Sequence, residues 1–256
     1  MVNQYNPRKG IWLATGSLAS TDIAASMPID FIVFDAEHGE ISDSALNVAI
    51  PLVHAKGVKA YVKVRMPSRE PIQRCLDFGA DGVIVPHITS PEEAKLMSGY
   101  AKYPPLGDRS LASERASGYG MQLSSDWWER QNRETKFFAM IEDAEALAKV
   151  EDIAAVPSVD GLFPGAVDLA IRRGRGVNTR SADALTDLKA IVAAAHGRGK
   201  SVMMPAWNTD DQRFAAENGV EDVLVASEYP TLVGAFRNKV EAANSIFTET
   251  SASPAV

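Results

Sequence analysis

Cysteine is almost absent from this chain: Cys75 stands alone among 256 residues. That excludes an intrachain disulfide framework and any cysteine-rich metal site, and it fits a reducing compartment. Positive charge is scarce as well. Lys and Arg number 26 against 33 Asp and Glu, giving a net charge of -7 and a pI of about 5.2. A surface for nucleic acid or anionic lipid needs clustered basic side chains, so neither partner is expected and small molecules are. No run approaches the roughly 18 apolar residues of a membrane span. The opening MVNQYNPRKG lacks the apolar core of a signal peptide. A cytoplasmic protein is the expectation.

What is present suits one large globular core, with 46% hydrophobic and 23% charged residues. Strand-like runs alternate with segments of helical period, and no Gly/Ser linker divides them. The runs are Gly10–Thr15, Phe31–Asp35, Lys59–Val64, Gly82–Pro86, Phe137–Ile141, Gly161–Pro164, Ser201–Pro205 and Asp222–Ala226. Helical candidates between them include Ser42–Ala55, Pro91–Ala101, Asp143–Ile153, Ala182–His196, Asp210–Asn218 and Tyr229–Asn244. This pattern predicts a TIM (β/α)8 barrel, one domain over residues 1–244, with an open doubly wound sheet as the alternative. Residues 245–256 are polar and are expected to be a tail, frayed or laid on a neighbouring subunit. Tyr103–Glu134 is long and rich in Gly, Pro and Ser, a candidate loop over a site, and its Trp127 and Trp128 are candidates for a subunit contact.

In a parallel barrel the chemistry sits at the C-terminal ends of the strands. The second run, FIVFD, continues into Glu37, His38 and Gly39, so a core strand ends in three titratable groups, Asp35 among them. His38 near Asp35 suits a base oriented by a carboxylate, or equally a hydrogen-bonded rim residue. His87, after Pro86, is its one competitor, since His54 and His196 lie in helical patterns. Arg65 follows the third strand and suits a carboxylate or an oxyanion, or a salt bridge between loops. Glu142 and Asp168 lie about one βα repeat apart, after the fifth and sixth strands. They could share a hard divalent cation that keeps water and substrate in its other positions, or both could be helix caps.

These segments are similar to the HpcH/HpaI aldolases, class II metal-dependent pyruvate aldolases on a TIM barrel. The likeness runs from about Gly10 to about Asn244 and is carried by FDAEHG at Phe34–Gly39, KVRMP at Lys63–Pro67 and CLDFGADGVIVPHITSPEEA at Cys75–Ala94. It continues in KYPPLGDRS at Lys102–Ser110, MIEDAEAL at Met140–Leu147 and VDGLFPGAVDLA at Val159–Ala170. The resemblance implies that Glu142 and Asp168 bind Mg²⁺ or Mn²⁺, with Co²⁺ as a further candidate, and that His38 with Asp35 is the catalytic dyad. It implies Arg65 as the substrate-binding arginine. Backbone N–H groups at the turn of Gly165, Ala166 and Val167 could hold the substrate carboxylate, Met140 shares the side of the strand with Glu142 and so is expected on the pocket wall, and Trp12 is a further substrate-binding candidate. The implied reaction cleaves or forms a C–C bond between a 2-oxo acid enolate and an aldehyde, in a homo-oligomer, a hexamer by analogy.

The chain departs from the family pattern at three places: Met140 stands where glutamine is usual, the Gly-Pro pair is shifted to Pro164-Gly165-Ala166, and Ser110 replaces a glycine. Three other readings stay open. One is a Schiff-base aldolase through Lys63, another a CoA-thioester lyase of the citrate lyase type, and the third a barrel that binds a metabolite without turning it over.

Overall fold

The structure, a computed structural model, describes residues 5–252. Eight parallel strands close in sequence order, with the last hydrogen-bonded to the first. They are β1 (Arg8–Leu13), β2 (Phe31–Asp35), β3 (Lys59–Lys63), β4 (Gly82–Val85), β5 (Lys136–Ile141), β6 (Gly161–Pro164), β7 (Ser201–Pro205) and β8 (Asp222–Ser227). The barrel excludes the open sheet, because an open order leaves two edges and here β1 pairs with both β2 and β8.

Strand alternation sorts the side chains. Phe31, Val33, Tyr61, Ile84, Phe138, Met140, Phe163, Met203 and Leu224 fill the lumen, with Phe31, Tyr61 and Phe138 meeting edge to face at 5.7 and 5.9 Å. Gly10 and Gly161 make room for that packing, since a Cβ at either would enter the ring of Phe31 or Phe138. The opposite faces, among them Ile32, Phe34, Val62, Val83, Phe137 and Leu162, are sealed under the helices. Cys75 belongs to this outer core, and burial pushes its thiol up to about 12.

Around the strands run α1 (Leu18–Ala25), α2 (Asp43–Ala55), α3 (Arg69–Asp77), α4 (Pro91–Gly99), α5 (Trp127–Glu134), α6 (Ala144–Ala148) and α7 (Val150–Ala155). They are followed by α8 (Ala166–Arg172), α9 (Ala182–Gly197), α10 (Thr209–Glu217) and α11 (Glu228–Ala252). Ser42, Ser90 and Ser181 open α2, α4 and α9 by accepting the backbone N–H three residues on. The apolar periodicity passes over α1, α3, α5 and α8. Pro71 disguises α3, yet proline is tolerated in a first turn, and Ile72, Cys75 and Leu76 form its buried face. The single helix expected over Asp143–Ile153 is two, α6 and α7, with Lys149 between them.

Two expectations are corrected. Tyr103–Glu134 ends in α5 and is strapped to the barrel's flank: buried Lys102 donates to the carbonyls of Asn132 (2.9 Å) and Thr135 (2.5 Å), and Arg109 meets Asp77 at 2.9 Å. Trp127 packs inside its own chain, 5.4 Å from the Tyr103 ring and 1% exposed, so only Trp128 remains at the surface. The helix α11 runs past Asn244 to Ala252, so part of the expected tail is helical, and residues 253–256 lie outside the described ones. Its first residue, Glu228, is anchored to Ala14 and Thr15, but beyond it Leu232, Val233, Phe236 and Val240 are exposed, while outward-facing Ile11 of β1 and Val225 of β8 are only partly covered.

Candidate active site

A cavity of about 260 Å³ opens at the C-terminal end of the barrel. Asp35, the last residue of β2, is buried there and organises the turn that leaves the strand. One carboxylate oxygen accepts the backbone N–H groups of Glu37 (3.1 Å) and His38 (3.0 Å), and the other accepts the Trp12 indole N–H at 3.2 Å. The Asp35–His38 link is therefore made through the backbone, and the imidazole itself is largely exposed, 3.6 Å from Glu37. Gly39 is required next because a Cβ would strike the carbonyls of Asp35 and Ala14.

Arg65 does not face this cavity. The chain leaves β3 after Lys63, and the guanidinium turns outward to the Ile41 carbonyl (2.9 Å) and Asp43 (3.4 Å). The cation that lines the cavity is Lys63, 4% exposed, with Nζ 2.6 Å from Glu37 and 6.0 Å from the centre of the Trp12 ring. Strand parity carried this signal, since Lys63 shares the inward face of β3 with Tyr61.

Glu142 follows β5 and is 2% exposed. Its Oε1 accepts the His87 backbone N–H at 2.7 Å and lies 3.0 Å from that imidazole's Nδ1, while His87 Nε2 lies 3.2 Å from Glu37. His87 thus ties two carboxylates together, from a left-handed backbone (φ 57°) that costs a non-glycine residue about 1–3 kcal/mol and is kept mostly at functional sites. Burial pushes the Glu142 carboxyl up; His87 and Lys63 pull it down and the Asp168 carboxylate raises it further. Asp168 projects from the first turn of α8. Between the two, Gly165 lets the chain pass, for its missing Cβ would lie 2.5 Å from Glu142 Cβ and 2.8 Å from Met140 Cε. Two neighbouring carboxylates, one of them desolvated and raised further by the charge of the other, fit a hard divalent cation that keeps its remaining positions for water and substrate. Among the described residues no third His, Cys, Asp or Glu completes a closed metal cluster.

Trp12, Met140, Gly165, Ala166 and Val167 line the cavity with Asp35, His38 and Asp168. Phe163, from the VDGLFPGAVDLA segment, lines it too, as do Leu188, Met204 and Trp207, which no motif or spacing singles out. His54 and His196 pair with Asp81 and Glu221 away from it.

The model of the HpcH/HpaI aldolase/citrate lyase family matches residues 8–224. The hydroxypyruvate/pyruvate aldolase of Paraburkholderia phytofirmans is 29% identical over 247 residues, covering 94% of each chain. The 5-keto-4-deoxy-D-glucarate aldolase of Escherichia coli K12 is 31% identical over 238 residues, 91% of this chain and 89% of that one. A crystal structure of an HpcH/HpaI aldolase/citrate lyase family protein from Burkholderia cenocepacia superposes with a TM-score of 0.86 at 27% identity, covering 94% of this chain and 96% of the other.

Proposed function

The chain belongs to the HpcH/HpaI aldolase/citrate lyase family, and from that premise we propose that it is a carbon–carbon lyase, a metal-dependent aldolase that joins or parts a pyruvate-like 2-oxo acid and an aldehyde. The observation that carries the reading is the pairing of Glu142, buried behind Gly165, with Asp168, which lines a cavity together with Lys63, Asp35, His38 and Asp211. Glu142 and Asp168 hold a divalent cation, Mg²⁺ or Mn²⁺ by the hardness of carboxylate oxygen, with Co²⁺ within the same reach. When bound, the cation draws electron density from the keto group of the substrate.

The chain's own groups do the rest. Lys63, in place of Arg65, presents a positive charge to the oxygen on which the enolate's charge develops, in a water-poor site where such a charge acts strongly. The imidazole of His38 moves the proton during bond making and breaking, and Asp35 fixes the turn that presents it. Backbone N–H groups over Gly165–Asp168 receive the substrate carboxylate. Glu37 and His87 hold Lys63 and Glu142 in place.

The placement of Lys63 supports a second reading, a Schiff base to the keto carbon, which its close engagement by Glu37 disfavours because imine formation needs a free amine. Incubation with deuterium oxide and pyruvate decides between them. Cation-dependent exchange of the methyl protons is expected. Exchange that persists in chelator, together with borohydride trapping of pyruvate on Lys63, would establish the Schiff base instead.

The partly covered outer face of β1 and β8 and the exposed apolar stripe of α11 support a homo-oligomer in which the α11 of one copy covers the barrel of another. A parallel barrel strand wants both faces covered. Light scattering at micromolar concentration checks this, and a monomer would refute it.

A further inference from the structure

Lys63, Asp35, His38 and Asp168 line the cavity. So do apolar side chains: Met140 and Phe163 reach up from the lumen, Met204 and Trp207 come from β7 and the turn after it, and Leu188 from α9. Asp211 also borders the cavity, but one oxygen is 2.6 Å from Arg180 and the other accepts from Asn208 at 2.8 Å. Lys63 is the one lysine or arginine among the lining residues, and the donor and Glu37 already engage it.

From this we infer that the cavity prefers an aldehyde with an uncharged apolar substituent, alkyl or aryl, over a carboxylated or polyhydroxylated one. The inference rests on the aldolase reading and concerns only the acceptor. With the 2-oxo acid held by Lys63 and the Gly165–Asp168 turn, the aldehyde substituent is left the apolar lining, Phe163, Met204 and Trp207 among it. A second carboxylate there would lose its water against thioether and ring carbon with no lysine or arginine of the lining left to receive it, and hydroxyl groups would lose water to the same surface. A methylene gains from the same transfer, by about 0.8 kcal/mol or about fourfold in equilibrium. The small volume, about 260 Å³, fits a donor with a compact acceptor.

The test uses the cation-loaded protein with pyruvate as donor. Propanal, butanal and pentanal are compared with glyceraldehyde and succinic semialdehyde as acceptors, reading kcat/KM for the aldol. The expected result is a rise of about fourfold per methylene, with the hydroxylated and carboxylated acceptors at least about tenfold below the alkyl acceptor of matched length. Trp207→Ala, at a position 42% exposed and so tolerant of truncation, should flatten the rise. In parallel, alkanals are titrated into metal-free protein and followed by the fluorescence of Trp12 and Trp207, where affinity should climb with chain length in the same ratio. Equal or better turnover with succinic semialdehyde or glyceraldehyde overturns the inference, as does a chain-length gain seen with longer 2-oxo acids instead of longer aldehydes. Failure of the aldolase reading looks different: pyruvate methyl protons do not exchange, whatever the alkanal titration gives.

Discussion

Gly165→Ala is a one-carbon change with a calculable consequence. The backbone there has φ -84° and ψ 67°, an inverse γ-turn geometry that residues other than glycine commonly adopt, so alanine adds little torsional strain. What it adds is a methyl 2.5 Å from Glu142 Cβ, 2.8 Å from Met140 Cε and 3.2 Å from Glu142 Oε2. Carbons pack at about 3.5–4.0 Å, so the gap is short by roughly 1 Å. Met140 can swing its flexible end away. Glu142 Cβ cannot, because it is tethered to the chain directly after β5 in a closed barrel. Either α8 or Glu142 moves, and overpacking of this kind costs about 1–3 kcal/mol, or about 2–4 °C of Tm per kcal/mol at this chain length. A displacement of about 1 Å at a reacting centre can lower turnover by about 10²-fold, and the separation of Glu142 from Asp168 changes with it. The assay pairs thermal unfolding of the metal-free protein with Mn²⁺ titration by electron paramagnetic resonance. Gly174→Ala is the control, since it places a side chain at φ 73° with nothing within 4 Å: stability should fall there too, with Mn²⁺ affinity retained. Wild-type Tm and Mn²⁺ affinity in Gly165→Ala would refute the close approach of Gly165 to Glu142.

Lys63→Met should cost about 1–3 kcal/mol by leaving the half-buried Glu37 with only His87 and His38 beside it; Lys63→Met with Glu37→Gln should recover that stability in urea melts without recovering turnover, and equal stability of the single and double variants would count against the pair. For the base, His38→Ala should lose about 10²–10⁴-fold in kcat while still binding Mn²⁺, and a larger loss in His87→Ala would move that role to His87. Glu228 supplies a pH dependence: burial raises its carboxyl, but hydrogen bonds from Ser20, Thr15 and the Ala14 and Thr15 backbone outweigh this and hold it below the usual range. A depressed carboxyl stabilises the fold above its unfolded value, about 4.3, and that contribution is lost as pH falls through the folded value. Glu228→Gln should therefore be less stable than wild type at pH 7, and the difference should shrink on acidification below about 4.3; a pH-independent difference would contradict it.

Period and punctuation in the chain determined the barrel. Eight apolar runs separated by helical segments admit few arrangements, and a parallel strand buried on both faces is apolar along its whole length, so a charge at its end announces the rim. Asp35, His38, Glu142 and Asp168 were legible for that reason, and Met140 followed from strand parity. Only the tertiary structure decided which way the chain turns once pairing stops. Lys63 is the last paired residue of β3, so its side chain keeps the strand's inward direction, whereas Arg65 lies two residues beyond the ladder and follows the loop out to Asp43. The same limit hid the bond from His87 to Glu142 and the apolar wall of Met204, Leu188 and Trp207. Those groups come from different βα units, and no local period relates them; closure of the barrel brings them into one cavity.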